Sequence, residues 1–165
     1  MKPFYLLILS LVFQSASPQQ LNFRSFSFEQ GLNTYNIQKS IQDKYGFIWI
    51  ATQDGLYRYN GNTFEALRKA GNGVASLREN FVSDIFYSGN DILYAATFNG
   101  GIDAIDVRTL SVKHIVDQTS DSTIGLPNLW ITKVFCDPHQ NLWIGGKDYL
   151  SIYNYKNKTF RQKNN

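Results

Sequence analysis

The stretch DKYGFIWIATQDGLYRYNG, running from Asp43 to Gly61, decides the fold. Its apolar residues recur at every second position and are mostly aromatic or β-branched, the pattern of half-buried strands; a helix would space them by three and four. Two turns interrupt it. At the first, the Asp43 carboxylate can accept bonds from turn amides while Gly46 supplies positive φ; at the second, Gln53-Asp54-Gly55 reverses the chain. With the alternating Ile37 to Ile41 before it and NGNTFEAL after it, the stretch predicts four short antiparallel strands.

Two looser copies follow, NDILYAATFNGGIDAID from Asn90 and DPHQNLWIGGKDYLSIYN from Asp137. Superposing their centres puts Trp49, Tyr94 and Trp143 at equivalent positions, at intervals of 45 and 49 residues. A period of this size denotes a repeated supersecondary unit, and four antiparallel strands in about 45 residues make one blade of a β-propeller. The second copy supplies strands VSDIFY, ILYAAT, GIDAID and LSVKHIV, and the third ITKVFCD, NLWIGG, LSIYNY and TFRQK. The expected fold class is therefore all-β. Within residues 18–165, about three four-stranded antiparallel blades lie near 32–67, 80–116 and 128–162 as an incomplete ring, since closed rings use about four to eight blades. A leucine-rich solenoid would have a shorter period and a Leu/Asn framework that is absent. The spacers RKAGNGVASLREN (Arg68 to Asn80) and DQTSDSTIGLPN (Asp117 to Asn128) read as long polar loops between blades.

Composition agrees. Of 165 residues, 43% are hydrophobic and 18% charged, which describes a chain with a core to bury, and 15% aromatics with 12 Gly favour short strands and tight turns. The net charge of +3 comes from scattered basic residues, which excludes a nucleic-acid partner. The single cysteine, Cys136, has no partner for a disulfide or a metal site and reads as a small buried apolar residue. At the amino terminus, Met1-Lys2, the apolar run Phe4 to Phe13 and the small residues Ser15, Ala16 and Ser17 predict a secretory signal peptide over residues 1–17.

The segment FSFEQGLNTYNIQKSIQDKYGFIWIATQDGLYRYNGNTFEAL resembles the opening repeat of the two-component-regulator propeller family, whose blades carry GL(S/N)xNxVxxIxxDxxGxxWxGTxxGLxRYDG. The matching residues are Gly31, Leu32, Asn33, Asn36, Ile37, Ile41, Asp43, Gly46, Trp49, Ala51, Thr52, Gly55, Leu56, Tyr57, Arg58, Tyr59, Gly61 and Phe64. The later copies depart from it. Tyr94 takes the Trp position, SGND replaces the Asp turn, and an extra residue enters at Asn99-Gly100-Gly101; in the third copy Gln140, Gly146 and Tyr149 replace turn glycine, Thr and second glycine. The resemblance implies the periplasmic half of a hybrid sensor, anchored in full-length relatives to the inner membrane. Beyond such propellers the family carries an immunoglobulin-like domain, a membrane span and histidine kinase machinery. This chain resembles only the amino-terminal portion of that architecture, so its implied partners are the remaining propeller blades, the downstream sensor domains and, in the full-length protein, a second copy in a homodimer.

The Trp49, Tyr94 and Trp143 series could stack on sugars, but recurrence at the centre of an interior strand predicts packing between blades. Asp43 and Asp137 recur at one turn and are expected to cap it rather than bind calcium or catalyse. His114 and His139 read as isolated. No catalytic residue, metal ligand or cofactor is predicted: nucleophile motifs, phosphate loops and zinc-ligand pairs are missing, as are the phosphoacceptor histidine, nucleotide-binding box and receiver aspartate of the resembled sensors. Function is expected where inter-blade loops meet the turns after each second strand. That face carries Tyr35, Asn36, Asp54, Arg78, Asn80, Asn99, Asn128, Trp130, Lys147 and Asp148, and amides, charges and an aromatic there suit an oligosaccharide. The leading expectation is a carbohydrate-responsive sensor segment without kinase activity. The alternative is an exported propeller scaffold or secretion-associated binding module; a hydrolase or lyase is disfavoured by the lack of clustered acids and bases.

Overall fold

The computed structural model describes residues 22–23, 25–26, 28–70, 76–116, 126–154, 156–157 and 159–162. The predicted signal segment and the centres of both inter-blade spacers lie outside the described residues. Apart from one 3-10 turn, Phe28–Gln30, the described elements are strands. They form three four-stranded antiparallel sheets, each a meander in chain order. The first holds β1 (Ile37–Gln42), β2 (Ile48–Thr52), β3 (Gly55–Tyr59) and β4 (Phe64–Leu67). The second holds β5 (Val82–Tyr87), β6 (Ile92–Thr97), β7 (Gly101–Asp106) and β8 (Val112–Val116), and the third β9 (Ile131–Cys136), β10 (Asn141–Gly146), β11 (Leu150–Asn154) and β12 (Thr159–Gln162). The all-β expectation of blades in an incomplete propeller is met.

Period-2 alternation explains how the sheets stack. In β6, Leu93 and Ala95 project into one core with Trp49, Ala51 and Leu56 of the first blade, while Tyr94 and Ala96 project into another with Val134, Leu142 and Ile144 of the third. A strand buried on both faces has no room for outward polar residues, and ILYAAT has none until its final Thr97. The connections add to these cores. Leu32, Leu77 and Leu126 each stand five residues before a first strand, and Leu77 is wholly buried between the first and second blades. Burial of such a side chain stabilises by about 1.5–3 kcal/mol. Leu32 packs instead on Ile50 and Tyr57, on the face of the first blade turned away from the second.

The first strands β1, β5 and β9 lie side by side. Each carries a register shift after its first residue, leaving Gln38, Ser83 and Thr132 without a direct partner on the second strand. Such bulges re-aim the residues that follow. Lys39 Nζ thereby reaches Asp84 Oδ1 at 2.9 Å, and Asp84 Oδ2 accepts the backbone N–H of Val134 at 3.0 Å. One nearly inaccessible carboxylate thus ties all three blades, its burial offset by the Lys39 ammonium facing Oδ1 as an ion pair and by the backbone hydrogen bond to Oδ2.

Asp43 and Asp137 cap their turns as expected and also hold the indoles. Asp43 Oδ1 accepts the N–H groups of Tyr45 and Phe47, and Oδ2 accepts Trp49 Nε1–H at 2.8 Å. Asp137 repeats this with His139, Asn141 and, at 3.1 Å, Trp143 Nε1–H. In the second blade Ser88 stands six residues before Tyr94, so carboxylate and indole are replaced together. The third blade departs elsewhere. Gln140 adopts φ +65° in the place of the turn glycine, and Gly146 is required because the Tyr149 ring occupies the space any Cβ would need.

Candidate functional site

At the end of the blades where the first strands begin, the residue before the first strand pairs with the residue after the second. The chemistry of that pair changes from blade to blade. In the first, Asn36 Nδ2 donates to Gln53 Oε1 at 3.1 Å. In the second, Phe81 and Phe98 stack with centroids 5.4 Å apart, and in the third Lys147 Nζ sits 5.7 Å from the centroid of the Trp130 ring. Phe98 then stacks on Trp130 across the joint between blades, at 5.8 Å and 20°. Asn99 N–H donates to the Leu129 carbonyl at 2.9 Å beneath this contact. The result is a column, Phe81, Phe98, Trp130 and Lys147, that crosses from the second blade to the third.

This column alters the reading of Trp130. The residue is 44% exposed, yet its indole stacks on Phe98 and has the Lys147 ammonium over the ring, so its surface is already shared with two neighbours. A ligand ring stacking where Lys147 sits would displace the ammonium, whose cation–π attraction is about 0.5–1 kcal/mol at an exposed site. Asn128 supports the arrangement twice: its Oδ1 accepts Trp130 N–H at 3.0 Å and its carbonyl accepts the Tyr149 hydroxyl at 2.7 Å.

Of the expected loop-face residues, Asn99, Asn128, Trp130 and Lys147 are thus gathered at one joint, with Asp148 exposed next to Lys147. The others are dispersed. Asp54 accepts from Arg68 Nη2 at 2.7 Å and from the Tyr57 hydroxyl at 2.9 Å, and the guanidinium holds its carboxyl below the usual range. Asn80 Oδ1 caps Lys69 N–H, Arg78 N–H donates to Asp103, and Asn36 is held by Gln53. Tyr35 is exposed and meets Phe28 edge to face. Phe81 and Phe98 escape a search for polar loop residues, and Gln53 is not singled out among them. Aligning the positions flanking the strands would have exposed them, since Phe81 matches Asn36 and Trp130 before the first strand, and Gln53 and Phe98 match Lys147 after the second.

His114 is not isolated, contrary to expectation. It faces Asp103 across β7 and β8, with Nδ1 and Oδ1 2.5 Å apart. Burial raises the Asp103 carboxyl, whose other oxygen accepts Arg78 N–H. The pair bridges β7 and β8 of the second blade. Among the described residues, no group of three or more His, Cys, Asp and Glu side chains could hold a metal ion.

No family model matches the chain. Among solved structures it is similar to the extracellular domain of a hybrid two component system from B. thetaiotaomicron, with TM-score 0.77 and 21% identity over 86% of this chain and 20% of that one. A second extracellular domain of that kind from the same organism gives TM-score 0.61 and 23% identity over 76% of this chain and 18% of the other. Among curated proteins, Histidine kinase P4 of Formosa agariphila is 34% identical over 67 residues, 39% of this chain. The chain spans only 5% of that kinase and a fifth or less of the two solved domains. These blades share the fold of the extracellular domains of hybrid two-component systems, the proteins whose propeller repeat the sequence resembles.

Proposed function

We propose that the chain is a ligand-sensing propeller segment of an exported hybrid two-component sensor, that it responds to a carbohydrate, and that it binds rather than transforms its ligand. The observation that carries this reading is the likeness of the blade fold, over 86% of the chain, to a domain that lies outside the cell in such a system. The repeat motif from Gly31 to Phe64 points the same way. An extracytoplasmic segment of this kind, periplasmic in a bacterium with two membranes, would pass its signal to downstream domains.

Further blades are the natural partners. In the first blade Trp49 is wholly covered by the second; in the third, the equivalent Trp143 is half-buried beside a cleft of about 310 Å³ lined with Ile152 and Arg161. A sheet face that leaves its central indole half-covered is completed by another sheet against it. The proposed contact surface for the sugar is the loop face at the joint of the second and third blades, where Asn99, Asn128, Trp130, Lys147 and Asp148 offer amides, opposite charges and an indole. Signalling requires that the bound sugar favour one arrangement of propeller and downstream domains over another.

Titration calorimetry of the chain against an oligosaccharide panel, with each sugar recovered and chromatographed afterwards, tests the reading. Heat without turnover supports it. Turnover moves the chain to the enzymes, and absence of heat with every sugar removes carbohydrate as the ligand class.

A further inference from the structure

At the opposite end of the same joint the second and third blades touch through Phe86 and Phe135 and leave a gap beside them. Their gap forms a cavity of about 630 Å³, within the roughly 300–1,000 Å³ of small-molecule sites. Its origin is legible by comparison with the joint between the first and second blades. There, cross-strand partners Trp49, Arg58 and Glu65 fill the space: the Arg58 guanidinium lies 4.7 Å from the Phe47 ring centroid, pairs with Glu65 at 2.7 Å and donates to the Val107 carbonyl of the next blade at 3.2 Å. At the second joint the equivalent partners are Tyr94, Ala104 and Lys113. Indole has become phenol and a guanidinium has become a methyl group, and all three residues line the resulting cavity.

The lining indicates what would occupy it. Phe86 and Phe135 meet edge to face at 5.0 Å and, with Ile92 and Tyr94, supply an apolar wall. The mouth carries the carboxamides of Asn90 and Gln140 and the hydroxyls of Ser88 and Ser111. Asp106 and Asp137 also border it, but their carboxylates are occupied by turn donors, Arg108 and Thr109 N–H on one and His139, Asn141 and Trp143 on the other. Against these two anions the lining sets one ammonium, Lys113, so its charges nearly balance and favour no strongly charged ligand. The Ser88 hydroxyl already donates to the Ile92 carbonyl and Ser111 Oγ accepts from Thr109, which leaves the two carboxamides as the principal groups for a neutral hydroxyl-bearing ligand. Apolar ring faces combined with many hydroxyls are the complement to such a surface.

We infer that the cavity between the second and third blades is a binding site for a neutral sugar of one or two rings, held against Phe86 and Phe135 and hydrogen-bonded by Asn90 and Gln140. The cavity rests on geometry alone; the choice of a carbohydrate rests in addition on the functional reading above.

Cys136 makes this testable without a reporter group, because it is the chain's single cysteine, is half-buried and lines the cavity. The rate of its alkylation by iodoacetamide is measured alone and with D-glucose, D-galactose, D-mannose, maltose, cellobiose or D-glucuronate. At about ten times its Kd, a bound neutral sugar slows alkylation about tenfold. Ala104→Arg, which rebuilds the filled joint, removes the protection, whereas Glu65→Ala at the first joint retains it. If Ala104→Arg does not fold, the rates on the unsubstituted chain decide alone. The inference is overturned if no neutral sugar slows alkylation, if glucuronate alone does, or if protection survives in a folded Ala104→Arg protein. Calorimetric heat without protection of Cys136 sinks the cavity site and leaves the sensor reading standing; protection in a complete sensor that gives no kinase output does the reverse.

Discussion

The two joints between blades are built on one plan and filled differently. At the first, an indole, a guanidinium and a carboxylate run across three strands and reach the neighbouring blade; at the second, phenol, methyl and ammonium leave about 630 Å³ open. Trp49, Arg58 and Glu65 pair across their strands as Tyr94, Ala104 and Lys113 do, so at these positions the difference lies in the side chains. It teaches that the conserved-looking residues of the motif are joint fillers, and that a repeat can lose them where the neighbouring sheets still supply enough apolar contact.

The largest expected effect breaks the filled joint. Trp49→Ala removes a wholly buried side chain and should cost about 3–5 kcal/mol, whereas Trp143→Ala, at a half-covered face, should cost about 1 kcal/mol. Denaturant titration of both variants checks this, and equal losses would mean that Trp49 is not clamped between blades. Next in size is Arg58→Ala, which deletes the donor to the Val107 carbonyl and opens at the first joint the kind of space found at the second. A loss of about 1–3 kcal/mol is expected from the charged hydrogen bond and the vacated volume. Its ion pair with exposed Glu65 adds little, so Glu65→Ala should be nearly silent in the same titration.

A smaller effect sharpens the comparison by restoring what the second blade lacks. Ser88→Asp and Tyr94→Trp made together should be more favourable than the sum of the single changes by about 1 kcal/mol, because the carboxylate and the indole N–H need each other. A double-mutant cycle measures that coupling, and zero coupling would show that the two positions changed independently.

Most of the fold was legible because alternation and turn chemistry are local. FIWIAT between Asp43 and Gly55 can be read as a strand without knowing its neighbours, and Asp137 recurring at the same turn identifies a cap. The site was less legible because it depends on which residues meet across blades. Trp130 was visible as an exposed aromatic, but the Phe98 and Lys147 that meet its ring come from the ends of second strands in two different repeats. His114 escaped for the same reason: its partner, Asp103, is set by pairing of β7 with β8, which no spacing rule states. The cavity is still less local, since Ala104 means nothing until Arg58 is seen to fill the equivalent place.

The smallest expected effect concerns pH and separates two carboxylates of opposite sign. Asn141, through its side chain and its N–H, and the Trp143 indole lower the Asp137 carboxyl from the ordinary 3.8 to about 2. Protons therefore bind the unfolded chain first, so the contribution of Asp137 is fully present above about pH 4 and is lost as pH falls toward 2. Asp103 behaves in reverse, because burial raises its carboxyl and the folded state takes up the proton first; stability from this group increases as pH falls through its raised value toward 3.8. Denaturation midpoints measured between pH 2 and pH 6 should accordingly lose part of their acid slope in Asp137→Asn and steepen in Asp103→Asn. If Asp137→Asn leaves the slope unchanged, its bonds to the turn and to Trp143 do not persist in solution, and the cap that the third blade shares with the first is a likeness of sequence without a shared energetic role.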